Sequence, residues 1–375
     1  MAGGVYDTGV IRLRRGIVLT VEAPRPGLLE LAVEVEGRRE LAIAYPELTG
    51  PVREGDRVIL NTTAVAAGLG SGGYHFVIAI EETEDRDPGS EGHVMKLRYT
   101  PLQAKVLAVE EEESPGRGAL READSLDGTP VVWTPLHSML GPVCAGAAVA
   151  GADRIVHVMT DGAALPIAWS RQVHALCDAG LLQSTVTAGH AFGGDLEAVT
   201  VFSALLAAKV VADADVIVVG DGPGNTGTDT TWGVTAIESA MSLHAVTVLR
   251  GRAVAALRVS FADVRERHRG VSHHSLTALT RVASGPVHVA VPTLDDPAQR
   301  DAVWEALRDA GLETQHQLVE ANGAPALAAL IERGVPLDSM GRTIEEDPAF
   351  FLAAGAAGVL AGRMATGSAR WKEER

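Results

Sequence analysis

Three short segments place a titratable side chain among glycines, the combination that brings a ligand close to bare backbone. Asp161 opens "DGAALP" (161–166), His190 stands in "AGHAFGGD" (188–195), and Asp221 opens "DGPGNTGTDT" (221–230). Each follows an apolar stretch, "RIVHVMT", "LQSTVT" or "DVIVVG". A fourth segment, "FADVRERHRGVSHHSLTALTRV" (261–282), gathers Arg265, Arg267, Arg269, His273 and His274 in a chain of formal net charge -16. Imidazole carries protons near neutral pH, and guanidinium groups hold phosphate or carboxylate. The expected chemistry is acid/base work on an anion.

His190 is read as the acid/base, with the Asp195 carboxylate five residues on to set its tautomer. Asp195 reads equally well as the cap of a following helix, because aspartate is a preferred N-cap residue. Ser272 reads as another cap, so His273 and His274 open a helix whose positive end favours neutral imidazole. Neighbouring helical positions diverge, and one of the two is expected to face a given site. His190, Asp195 and one of His273 or His274 make a candidate divalent-metal set suited to zinc, manganese or iron. No H-x-x-x-H or C-x-x-C spacing supports it.

Gly222, Gly224 and Gly227 match G-x-G-x-x-G after a strand. Pro223 removes an N–H that a phosphate would use, and the next apolar segment, "AVTVL", ends in Arg250 rather than in the acid that holds a ribose. A nicotinamide cofactor is therefore not expected, although Arg250 and Arg252 would suit a 2′-phosphate. A simpler anion site survives, built on these glycines, Asn225 and the hydroxyls of Thr226, Thr228, Thr230 and Thr231. The competing reading is a loop shaped by packing alone.

The elements that must position these residues follow from periodicity. The first 110 residues or so alternate apolar and polar, with a hairpin around Glu36, Gly37 and Arg38 and a Gly-Asp turn at 55–56. A small β-barrel or sandwich module is expected over 1–115. From about Asp124 strands alternate with helices, the signature of βαβ units. A layered, mainly parallel-sheet (Rossmann-like) α/β domain is expected over 124–368, with the polar stretch 111–128 as boundary. In such a sheet the three glycine-bearing loops emerge together at the carboxyl edge. The segment "LNTTAVAAGLGSGGYHFV" (60–77) reads as a hairpin connection able to act as a lid. Cys144 and the small-residue runs "GPVCAGAAVAGA" and "FFLAAGAAGVLAG" read as close packing, within the chain or across a homo-oligomer.

Composition narrows the partners. The acidic charge argues against nucleic acid. No apolar run reaches a membrane span, and "MAGGVYDTGVIRLRRG" lacks the order of a signal peptide. Cys144 and Cys177 have no redox or metal spacing. A cytoplasmic protein is expected, ending in a solvated tail, "GSARWKEER".

The segments "LNTTAVAAGLGSGGYHFV", "HVMKLRYTPLQ", "TAGHAFGGDLEAV", "RERHRGVSHHS" and "MGRTIEEDPAFFLAAGAAG" are similar to those of a bacterial family catalogued only as a domain of unknown function. That resemblance spans nearly the whole chain and brings no activity, cofactor or catalytic residue. From the residues alone, the expectation is a hydrolase or group transferase acting on a small anionic metabolite. Asp161, Asp221, Gly222, Gly224, Asn225, Thr226, Gly227, Arg267 and Arg269 are its candidate ligand holders. His190, Asp195, His273 and His274 are its candidate catalytic groups. The rival is a non-catalytic metabolite-binding or scaffold protein.

Overall fold

A computed structural model describes residues 10–367. The tail from Ser368 and the first nine residues of the segment read against a signal peptide lie outside them.

Alternating apolar residues close the first strands into a barrel. β1 (Leu13–Arg25), β2 (Leu28–Val35), β3 (Arg38–Ala44), β4 (Arg57–Asn61) and β5 (Tyr74–Ile80) pair in the order β1-β2-β3-β5-β4, and β4 returns to β1. Inward-facing Val33, Val35, Ala42, Val58, Leu60 and Val77 fill it. The β2–β3 turn has positive φ at Glu36 (52°) and Gly37 (75°), as a two-residue hairpin requires. Gly68, Gly72 and Gly73 also take positive φ in the connection that leads into β5.

Two short strands follow, β6 (Val94–Lys96) and β7 (Ala104–Val106). The chain divides into two compact units in this region: residues 91–96 belong with the second and 97–105 with the first. Residues 106–123, with their charged composition, are part of the second unit.

The second unit is built on eight strands: β8 (Pro130–Trp133), β9 (Ile155–Thr160), β10 (Ser184–Ala188), β11 (Leu196–Ala198), β12 (Val216–Asp221), β13 (Arg252–Ala256), β16 (His288–Pro292) and β17 (Gln317–Ala321). They lie in the order β11-β10-β9-β12-β8-β13-β16-β17, and every ladder among them is parallel. A small antiparallel pair, β14 (Val259–Ser260) with β15 (Gly270–Val271), extends beyond β13. Both faces of the large sheet are covered. Val131, Trp133, Ile217 and Val219 pack into one layer, and Val132, Val216, Val218 and Val254 into the other. That two-sided burial is why its strands read as continuous apolar runs rather than alternating ones.

Two element assignments differ from the sequence reading. "AVTVL" belongs to the helix Ser242–Val248, not to a strand. Its β-branched residues suggest a strand, but Leu243, Val246 and Leu249 are buried three apart, a helical period. The stretch after Asp195 forms β11 before its helix, Val201–Val210, which Thr200 caps.

The small-residue runs pack against each other within the chain. A Cβ added to Gly358 would enter the Val143 carbonyl, and one on Gly362 would meet the Ala147 carbonyl oxygen at 2.5 Å. The helix Pro348–Ala365 is long and apolar enough to cross a membrane by length and composition, but 78% of it is buried inside the protein.

Candidate active site at the carboxyl edge

From β8 the chain moves outward through β9, β10 and β11 and returns at β12. It then moves outward on the other side through β13, β16 and β17. Ligands of open parallel sheets collect at the carboxyl ends of strands beside such a reversal. β12 and β13 end there in Asp221 and, two residues past the strand, Arg258.

Asp221 is buried at the end of β12. Thr160 Oγ1 donates to its Oδ1 (2.7 Å), Asn225 Nδ2 donates to its Oδ2 (3.1 Å), and the Gly162 N–H also bonds to it. Burial outweighs these donors and raises its pKa to about 6. A side chain at 162 would collide with the carboxylate, since an added Cβ would lie 2.5 Å from Oδ1. Below it, buried His137 sets Nδ1 3.0 Å from the Asp221 carbonyl oxygen and Nε2 2.6 Å from Ser170 Oγ. Asp161 accepts the His190 backbone N–H at 2.9 Å, so the ends of β9 and β10 are joined.

The second group lies where residues 258–275 fold back. Ser272 caps the helix His273–Thr277 through the His274 N–H, and its Oγ is also 2.8 Å from His268 Nδ1. The rings of His273 and His274 lie 3.9 Å apart between centroids, and His268 stands 5.1 and 5.0 Å from them. Both neighbours therefore face one site, contrary to the divergence expected of a helix. At the first helical position no preceding turn restricts the rotamer, so His273 can swing toward His274. Burial, reinforced by nearby Arg258, holds His268 near pKa 3, and burial with nearby Arg267 lowers His273. Burial and the neighbouring His273 hold His274 near 4. The surroundings of all three rings disfavour the protonated form.

Arginines complete the group. Buried Asp263 takes Arg258 at 2.9 Å and Arg265 at 2.8 Å. Hydrogen bonds from Arg265 hold its carboxyl far below the usual aspartate range. Arg342 Nη2 lies 3.8 Å from the same carboxylate, too far for a hydrogen bond, while its Nε donates to buried Asp347 at 3.2 Å. Arg258 Nε, Arg267 Nε and Arg342 Nη2 are buried nitrogens without a hydrogen-bond partner, as are His273 Nε2 and His274 Nε2. A buried polar group left unpaired costs about 1–3 kcal/mol, and five such nitrogens stand in this group.

The 222–235 loop links the two groups. Asn225 bonds both Asp221 and Thr235 Oγ1 (3.0 Å), the Thr228 carbonyl bonds the His274 ring, and Gly227 leaves only 3.3 Å between an added Cβ and His274 Cε1. Gly222 and Gly224 lie in this loop, Gly224 at φ 95°. Thr226 contributes its carbonyl to Thr235 N–H. The hydroxyls of Thr228 and Thr230 bond each other at 2.8 Å, and Thr228 also bonds Gly233, so they hold the loop together rather than offering donors to an anion.

Asp195 stands apart. It accepts from Thr185 N–H (2.8 Å), Thr185 Oγ1 (2.9 Å) and Ser184 Oγ (3.3 Å), at the amino end of β10 and away from the loop that carries His190. The parallel pairing of β11 carries it there, since Leu196 is opposite Val186. It neither orients His190 nor caps a helix, and the metal set built from His190 and Asp195 is not assembled. Arg269 is exposed. Arg250 bonds Asp124, and Arg252 bonds the Gly128 and Met364 carbonyls at the start of β13, so neither reaches the carboxyl edge.

The DUF3866 family, described as a protein of unknown function, matches residues 41–358. The chain belongs to that family. No curated protein and no solved structure matches the chain. The matched span takes in every DUF3866 residue placed at the carboxyl edge here.

Sequence reasoning missed Arg258, Asp263 and Arg342, and it expected the segment "RHRGVSHH" (267–274) to line the site without singling out His268. Arg258 and Arg342 are 84 positions apart with no local pattern, and only the fold brings them to one carboxylate.

Proposed function

We propose that this protein is an enzyme, a hydrolase or group transferase, acting on a small anionic metabolite at the carboxyl edge of its eight-stranded sheet. The observation that supports it is the set of unpartnered buried guanidinium and imidazole nitrogens beside the 222–235 loop. Arg258, Arg267 and Arg342 hold the anion by charge-assisted hydrogen bonds. The neutral imidazoles of His273 and His274 accept a proton or orient a water. Asp221, which changes charge at about pH 6, is poised as acid or base on the other side of the loop. His190 lines the end of β10 beside Asp161. Two free cysteines, Cys144 buried and Cys177 exposed, suit a cytoplasmic setting.

The test is a thermal-shift series with inorganic phosphate, nucleotides and di- and tricarboxylates on the full chain, run both with and without a chelator. One anion class is expected to raise the melting temperature, with the shift reduced in Arg267→Gln and in Arg258→Gln. The stabilising anion is then followed by NMR for turnover. Absence of any stabilising anion defeats the reading, and a stabilising anion that is never turned over favours the non-catalytic binding protein.

A further inference from the structure

We infer that His268, His273 and His274 form a binding site for one divalent transition metal of the zinc class, with three imidazole ligands and an open fourth position. The inference deepens the reading above, whose site it shares, and is argued from the geometry and hydrogen bonds of the three rings.

One ring nitrogen from each of the three histidines lies within 4.8 Å of the others. A tetrahedral zinc with bonds of about 2.0–2.1 Å needs its nitrogen donors about 3.3 Å apart, so the rings must close by up to about 1.5 Å around it. The tautomers fit as well. The Thr228 carbonyl bonds the His274 ring, and Nε2 of that ring has no partner. The proton therefore sits on Nδ1 and the lone pair on Nε2. A ring held this way presents an acceptor to a cation rather than a donor to an anion. His268 Nδ1 lies 2.8 Å from Ser272 Oγ, which also accepts the His274 N–H, so this ring is held in place by a hydrogen bond that either tautomer can make. Outer hydrogen bonds of this kind set tautomer and orientation in histidine metal sites. His273 Nε2 is likewise buried and unpartnered.

Arg258, Arg265 and Arg267 lie near enough to the rings to disfavour positive charge on them, opposed by Asp263 at His268 and by Asp229 at His273, and Arg258 and Arg265 are neutralised in part on Asp263. The remaining guanidinium nitrogens, on Arg267 and Arg342, would then meet an anion bound at the open metal position. Three protein ligands and an open fourth position characterise catalytic rather than structural zinc, and a bound water there has its pKa lowered to about 7.

Among the described residues, one other group has metal-ligand proximity, His93 with Glu111 and Glu113, exposed or half-buried at the surface of the second unit. It supplies the control.

The experiment uses the full chain, stripped with a chelator and dialysed against Zn²⁺ or Co²⁺, with bound metal measured by elemental analysis and the cobalt form by its visible spectrum. The expected result is one metal per chain, a cobalt spectrum typical of four-coordinate nitrogen ligation, and an affinity lowered at least about 100-fold in His274→Ala and in His268→Ala. His273→Gln, at a half-buried position, is the variant that best preserves the fold. His93→Ala is expected to bind as the unaltered chain does. The inference is overturned if the stripped chain takes up no metal, if the cluster variants bind as tightly as the unaltered chain, or if His93→Ala alone abolishes binding. An anion that stabilises the chelated chain without any metal uptake would sink this inference and leave the enzyme reading standing. Metal uptake with no stabilising anion would do the reverse.

Discussion

Replacing Asp221 with asparagine should make the protein gain stability relative to the unaltered chain as pH rises toward neutrality, because the cost of a buried carboxylate charge is removed. The Asp221 pKa lies at about 6 instead of 3.8, mainly because burial penalises the charged carboxylate. At about 1.36 kcal/mol per pH unit, that gap is worth about 3 kcal/mol. Because the pKa is raised on folding, the contribution to stability is fully present below about pH 3.8 and is lost as pH rises through about 6. Above that the native protein carries the whole cost of a buried charge. Asparagine carries none of it. Its Oδ1 can still accept from Thr160 and Gly162, and Asn225 can turn its amide to accept the new N–H while Thr235 donates. Those rearrangements do not titrate, so they change the offset between the two proteins and leave the pH dependence to the carboxylate. Urea unfolding of both proteins from pH 4.5 to 7.5 should show Asp221→Asn gaining about 2 kcal/mol relative to the unaltered chain, levelling off above pH 7. A flat difference would mean that Asp221 titrates as an ordinary aspartate. A difference of opposite slope would mean that a cation faces the carboxylate, and either result removes Asp221 as a proton carrier near neutrality.

Two further substitutions test the packing that carries the site. Lys96 is fully buried, with Nζ 3.1 Å from Glu197 and 3.1 Å from the Ala198 carbonyl oxygen, so Lys96→Met strands a largely buried carboxylate. It should cost about 3–5 kcal/mol at pH 7, and adding Glu197→Gln should restore most of that in chemical denaturation. A double variant no more stable than Lys96→Met would refute the pairing. Gly358→Ala places a methyl against the Val143 carbonyl, and overpacking should cost at least about 1–3 kcal/mol despite alanine's better helix propensity. Gly118→Ala, in the exposed helix Arg117–Glu122 with nothing near its Cβ, should instead stabilise by up to about 1 kcal/mol, and equal melting shifts for the two would disprove the close helix contact.

The amino-acid sequence alone determined the architecture, because it is written in short-range periodicity. Alternation over "LLELAVEVEGRRELAIAY" and an Xaa-Gly turn require a hairpin, and continuous apolar strands separated by helices require a parallel sheet buried on both faces. The same logic put Asp161, His190 and Asp221 at the ends of adjacent strands, where they stand. "AVTVL" escaped it, since a short β-branched run carries no length of period to separate strand from helix. Tertiary structure decided everything that depends on which distant groups share a partner. Asp195, five residues from His190, is drawn to the far end of β10 by one parallel register. Arg258, Arg265 and Arg342 meet on Asp263, and His268 joins His273 and His274, because β13, the fold-back of residues 258–275 and the approach to the last helix converge at one edge. Side-chain convergence across such separations is set by strand order and burial, neither of which leaves a local pattern in the chain.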